Sequence, residues 1–158
     1  MKLSDKLNNK TILNRLNANN KIDVLKELLD HLCSIGFLEK NAKLFSYLEQ
    51  KANTNNSTSS RGIAYHYNTS TEINETIAVL GISNNGIDYE SVDGLMCNFI
   101  LLILDPESKS NSHRLIINLF QDLIKNINIK DALLKSNSSD DIFNVICEWE
   151  ENQNKIEL

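Results

Sequence analysis

The run Leu95–Leu104, LMCNFILLIL, decides how the rest of the chain is read. Apart from Asn98 it is apolar throughout, with no alternation that would give one face to water, so it predicts a central strand covered on both sides. Asp105-Pro106 ends it, because proline has no N–H to offer a sheet ladder. A strand buried on both faces needs helices above and below, and the flanking sequence supplies them.

Downstream, Ser110–Ser112 offers hydroxyls to cap a helix whose apolar stripe is Leu115, Ile116, Leu119, Phe120, Leu123, Ile124 and Ile127. A short helical piece at Asp131–Lys135 follows. Ser138 or Ser139 then caps a helix that brings Ile142, Phe143, Ile146 and Cys147 together. Upstream, Ile22, Leu25, Leu28, Leu29, Leu32 and Cys33 recur at three and four, and Gly36 provides the left-handed stop. A shorter helix opens at an Asn41 cap and carries Leu44, Phe45 and Leu48 on one side.

Between these helical flanks, Ala52–Ser60 (ANTNNSTSS) reads as a loop, since short polar side chains compete for the backbone and nothing apolar anchors it. Gly62–Tyr67 (GIAYHY) and Thr76–Ile82 (TIAVLGI) are β-branched and aromatic, as strands are. Asn84-Asn85-Gly86 is expected to turn the chain after the second. The order helix, helix, strands, helix, helix predicts an α/β fold with a single mixed β-sheet flanked by helices on both faces. The 158 residues are expected to form one domain, with 1–9 and 151–158 frayed.

Sixteen Lys and Arg against 21 Asp and Glu leave a formal charge of −5 without a basic cluster, which argues against nucleic acid as a partner. No apolar run approaches the roughly 18 residues of a membrane span, so no membrane insertion is expected. The opening MKLSDKLNNK lacks the apolar core of a signal peptide, which predicts a cytoplasmic chain with Cys33, Cys97 and Cys147 reduced. No Cys/His spacing suits zinc, no Gly-rich loop follows a strand, and no serine sits in a nucleophile elbow. Neither metal nor organic cofactor is expected. Asp88, Glu90 and Asp93 read as a solvated hairpin edge.

The three histidines differ in setting. His31 lies beside the Leu32 stripe and reads as a surface or boundary residue. His66 closes a strand and leads into Asn68-Thr69-Ser70, where hydroxyls and amides would ring an imidazole. His113 sits in the first turn of the long helix, where free N–H groups favour a neutral imidazole and attract phosphoryl oxygens. If His66 and His113 met in space, one imidazole would be a nucleophile toward phosphorus while neighbouring donors neutralised the equatorial oxygens. The plainer reading stands beside it: His66 as a strand-end residue between Tyr65 and Tyr67, and His113 as a cap-region residue.

From about Lys10 to Glu150 the chain resembles the mannitol/fructose-type EIIA domain of the bacterial sugar phosphotransferase system, including its stand-alone nitrogen-regulatory version. The residues that carry the resemblance are VLKELLDHLCSIGFL (Val24–Leu38), RGIAYHY (Arg61–Tyr67), GIDYESVDG (Gly86–Gly94) and LLILDPESKSNSHRLIINLFQDL (Leu101–Leu123). In that family the phosphorylated histidine closes a Gly-Ile-Ala-Ile/Val-Pro-His motif, where this chain reads Gly62-Ile63-Ala64-Tyr65-His66-Tyr67. Holding Gly-Ile-Ala in register puts His66 on the proline and Tyr67 on the histidine. Counting back without gaps from Asp93 puts His66 on the histidine, with one residue lost before it. The second register keeps Gly86, Tyr89 and Asp93 in place and is the one expected here. His113 corresponds to the family's second active-site histidine.

The resemblance therefore implies a phosphocarrier: His66 accepts a phosphoryl group from an HPr-like carrier protein and passes it to a IIB domain or keeps it as a regulatory signal. His113 would donate to the phosphoryl oxygens, with Thr58 and Ser59 hydroxyls assisting. The family's arginine before the active loop is replaced by Gln50 in Leu48-Glu49-Gln50-Lys51, and Arg61 is the candidate substitute. The Ser-Thr-Gly loop has become Ser57-Thr58-Ser59-Ser60. These departures suit the alternative, a catalytically silent EIIA-like regulatory or protein-interaction module. As a site residue, His66 is expected to tolerate alanine with little loss of stability.

Overall fold

The computed structural model describes residues 1–40, 42–53 and 59–156. Five strands, β1 (Ile12–Leu13), β2 (Ser59–Ser60), β3 (Ile63–Ser70), β4 (Ile77–Ile87) and β5 (Cys97–Pro106), form one sheet in the order β1-β4-β5-β3-β2. The long apolar run is the middle strand, as its composition predicts. It pairs antiparallel with β4 and parallel with β3, while β1 lies parallel along β4 and β2 antiparallel along β3. The sheet is mixed, as expected.

Helices α1 (Lys21–Ser34) and α2 (Ala42–Asn53) cover one face. There Leu25, Leu28, Leu32 and Leu48 pack on Ala64, Val79, Ile100, Leu102 and Leu104. The other face is covered by α3 (His113–Ile124), α4 (Ile127–Lys135) and α5 (Ser139–Ile156), which set Ile116, Phe120, Leu133, Ile142 and Ile146 against Ile63, Tyr65, Leu80, Phe99, Leu101 and Ile103. Odd and even positions of β5 thus feed two separate cores, which is the period of a pleated strand made visible.

Several local expectations are corrected. Residues 1–9 do not fray: Leu3 and Leu7 are completely buried in the core under α5. Nor does α5 stop at Glu150, since it runs on to Ile156, and Glu150 accepts a hydrogen bond from the Ser4 N–H at 3.3 Å. Asn84-Asn85-Gly86 does not reverse the chain. β4 continues through it to Ile87 across a shift in register, with Gly86 at φ 80°. The polar interruption of the apolar run explains how: the Asn98 side-chain amide donates to the Ser83 carbonyl at 2.8 Å and to the Asn84 carbonyl at 3.3 Å, where the regular ladder is broken.

Two short edge strands, β1 and β2, carry too little apolar pattern to be read from sequence. Ala52 and Asn53 belong to α2, and Ser59 and Ser60 to β2, rather than to a loop. The proposed Asn41 cap lies outside the described residues, as does Thr58. The Ser138 hydroxyl accepts from the Asp141 N–H at 3.1 Å and caps α5 as predicted. Ser112 makes no such bond at the start of α3; that task falls to Asp105.

Leu102 is wholly buried in the layer under α1 and α2. Leu102→Asp would place an unpaired carboxylate among aliphatic side chains at a cost of several kcal/mol. The variant is expected to lose cooperative thermal unfolding, or soluble expression, and a melting temperature equal to the parent's would contradict this account of β5.

Candidate functional site

β3 runs parallel to β5 in unbroken register, with His66 opposite Leu102, Tyr67 opposite Ile103 and Ser70 opposite Pro106. Successive residues of such a strand must face opposite sides of the sheet. His66 points to the α1/α2 side and Tyr67 to the α3 side. The sequence expectation that His66 and His113 converge is therefore corrected: the sheet lies between them.

His66 is buried, and its Nε2 hydrogen-bonds the Tyr89 hydroxyl at 2.8 Å, with that phenol itself nearly inaccessible. Burial pushes the imidazole down to a pKa of about 4, and the nearby Lys21 ammonium adds to the shift. Burial likewise raises the Tyr89 phenol. Both rings are neutral at pH 7. This is the setting of a core histidine satisfied by a core tyrosine.

On the opposite face, the Tyr67 ring lies against His113, with centroids 4.3 Å apart and planes 9° from parallel. The Lys51 ammonium stands 4.9 Å from the centroid of the same Tyr67 ring and donates to the Tyr67 carbonyl at 3.0 Å. Behind His113 is Asp105, the one acidic residue of β5, only 1% exposed. Its Oδ2 accepts from His113 Nδ1–H at 2.6 Å and from the His113 backbone N–H at 3.2 Å. Its Oδ1 accepts from the Thr76 hydroxyl at 3.0 Å. One carboxylate thus caps α3, fixes the imidazole tautomer with its proton on Nδ1, and ties both to the start of β4.

Two open depressions flank this group. Tyr67, Asn111, His113, Arg114, Ile117 and Asn118 border one. Tyr47, Gln50, Lys51, Asn68 and Thr69 border the other. Gln50 borders the second depression, and its neighbour Lys51 is the cation that reaches Tyr67. Arg61 does not stand in for an arginine there. It begins the turn into β3 at φ 56°, its backbone N–H held by Asp93 Oδ2 at 2.7 Å, six residues or roughly 20 Å of strand before Tyr67. Ser59 is at the same far end, its hydroxyl bonded to that of Ser91 at 2.8 Å. His31 has its Nε2 on the Lys10 carbonyl at 2.6 Å, at the boundary of α1 as expected. Of the described candidates His66, His113, Ser59 and Arg61, His113 stands in the cluster and the other three do not, and Tyr67, Asp105, Lys51 and Arg114 complete its surroundings. Asp105 carried a readable signal: an acidic residue directly ending a fully buried strand needs a partner nearby.

The burial of His66 has a pH consequence. Its folded pKa lies below the ordinary value near 6.5, so the unfolded chain takes up a proton first as pH falls. Stability is unaffected above about pH 6.5, declines between there and about pH 4, and levels off below. At pH 5 the loss amounts to about 2 kcal/mol. Urea unfolding at pH 7 and pH 5 should show this loss in the parent and its disappearance in His66→Gln, whose amide can still meet the Tyr89 hydroxyl. His66→Ala, contrary to the tolerance expected of a surface site, strands that phenol in the core and should cost roughly 1–3 kcal/mol at pH 7. Equal stability of parent and alanine variant would count against the buried pair.

Comparison with known proteins agrees with this architecture. Residues 5–149 match the family described as the phosphoenolpyruvate-dependent sugar phosphotransferase system, EIIA 2. The fructose-specific EIIABC component of the phosphotransferase system from Bacillus subtilis (strain 168) is 28% identical over 147 residues, which is 92% of this chain and 23% of that protein. The chain thus spans about a quarter of the curated relative it matches. Among solved structures, the nitrogen regulatory protein IIA-Ntr from Neisseria meningitidis superposes with a TM-score of 0.76 at 15% identity, covering 91% of this chain and 98% of its own. The mannitol enzyme IIA of Escherichia coli, solved in complex with phosphorylated enzyme IIB, gives a TM-score of 0.74 at 14% identity over 90% of this chain and 98% of that one. With a family match that covers nearly all of its length, the chain belongs to the EIIA 2 family of the phosphoenolpyruvate-dependent sugar phosphotransferase system.

Proposed function

We propose that this chain is a regulatory EIIA domain of the phosphotransferase system, one that docks on its protein partners without relaying a phosphoryl group through His66. The partners are an HPr-like phosphocarrier on one side and a IIB domain or a regulatory target on the other, all in the cytoplasm. Family membership supports a place in phosphoryl-group traffic or its control. The observation that carries the silent reading is the stack of Tyr67, not His66, on His113.

The chemistry of a phenol explains why this matters. A relay keeps the group on nitrogen, where the N–P bond is reactive enough to be passed on. Transfer to a phenol oxygen would give a stable ester and end the chain of transfers. Gln50, which the resemblance sets against the family's arginine, carries no charge to offer phosphoryl oxygens. A second reading, phosphorylation on a histidine as in a working phosphocarrier, is favoured by one observation, the Asp105–His113 bond at 2.6 Å.

The two residues of β3 give opposite tests. With enzyme I, HPr and labelled phosphoenolpyruvate, His66→Ala should take up label no differently from the parent. Tyr67→His, which restores an imidazole opposite His113, should take up label at least about tenfold faster. A parent whose labelling is abolished by His66→Ala and unchanged by Tyr67→His would overturn the proposal.

A further inference from the structure

The bond between Asp105 and His113 does more than a docking surface requires. The Nδ1–H bond to the buried Asp105 carboxylate selects the tautomer whose in-plane lone pair is on Nε2, on the side away from Asp105. That nitrogen makes no hydrogen bond among the described residues. The ring borders the depression shared by Arg114, Asn111 and Asn118, so a cation and two amides surround the mouth of the site. Tyr67 covers a face of the ring, which leaves the edge nitrogen unobstructed by the stack.

The other histidines lack this combination. His66 has its Nε2 on a buried phenol, and His31 has its Nε2 on a backbone carbonyl with no carboxylate behind it. We infer that Nε2 of His113 is itself a phosphoryl acceptor, taking the group from a phosphohistidine on a docked carrier protein and holding it as a mark on the regulatory surface.

The step balances without a further reactant. The Nε2 lone pair forms the new N–P bond, and the donor's N–P bond breaks with its electron pair returning to the donor ring. A donor ring protonated on its other nitrogen leaves as neutral imidazole. The His113 ring, retaining its Nδ1 proton, becomes the phosphoimidazolium, and its positive charge faces the Asp105 carboxylate across the existing bond. Asp105 acts as a positioning residue; Arg114 and the two amides are placed to meet the phosphoryl oxygens.

The inference rests on the docking reading for its natural donor, so two donors separate them: phosphorylated HPr, which must dock, and phosphoramidate, a small N–P donor that need not. The full chain is treated with each, kept at alkaline pH to preserve N–P bonds, and mapped by peptide mass spectrometry, with circular dichroism confirming that each variant is folded. A phosphoryl group on the His113 peptide, acid-labile, reduced to background in His113→Gln and undiminished in His66→Gln, is expected from both donors. Labelling by phosphoramidate without labelling by phosphorylated HPr would uphold the acceptor and overturn the docking reading. No label from either donor, label that persists in His113→Gln, or label mapped to Tyr67, His66 or His31 would overturn the inference.

Discussion

The parity of β3 is the constraint on which the site depends. The strand is locked to β5 through eight consecutive residue pairs, from Ile63 against Phe99 to Ser70 against Pro106, so no slip of one residue is open to it. A slip would carry Ile63 and Tyr65 into the layer under α1 and α2 and bring Ala64 and His66 up against α3 and α5. Every apolar contact of the strand resists that exchange. Two adjacent residues therefore have separate fates, and the identity of the one on the α3 side determines what chemistry His113 can share.

Each of the two histidines is satisfied by the layer it enters. On the α1/α2 side a neutral imidazole and a neutral phenol bury each other's polar atoms, which removes the penalty of placing either alone among leucines. On the α3 side a buried carboxylate at the end of the central strand is satisfied by three hydrogen bonds, two from His113 and one from Thr76. That arrangement replaces the serine cap expected at the start of α3. It also means that the helix start and the imidazole orientation are set together by one side chain.

Much of the architecture was legible because it rests on long periodic segments. The doubly buried run of β5, the stripes of α1, α3 and α5, and the α/β layering all follow from hydrophobic spacing. The short edges were not legible: two-residue strands such as β1 and β2 are defined by the ladders they join rather than by their own side chains. Asn84-Asn85-Gly86 misled because turn-forming residues also suit a bulge, and the amide that serves the bulge, Asn98, lies elsewhere in the sequence. The N-terminal leucines were missed for a related reason. Leu3 and Leu7 have too little pattern around them to declare a core contact made with α5, distant in sequence.

The choice between His66 and Tyr67 shows where sequence reasoning ran out. Both registers of the Gly-Ile-Ala motif were visible, but neither count tells which residue faces α3; the pairing of β3 with β5 turns Tyr67, not His66, toward His113. Gly62 lies in the turn before β3, but from Ile63 onward a lost residue would reverse every following side chain, while β4 is already irregular between Ile82 and Ile87 and takes up such a change at less cost. Insertions and deletions are cheap where the ladder is already broken and expensive where it is intact.

Tyr67 also shapes the surface beside His113. Its ring is touched by His113 from the lining of one hollow and by Lys51 from the lining of the other. A smaller side chain at this position would bare one face of the His113 ring and, by the same change, leave the Lys51 ammonium without its aromatic seat.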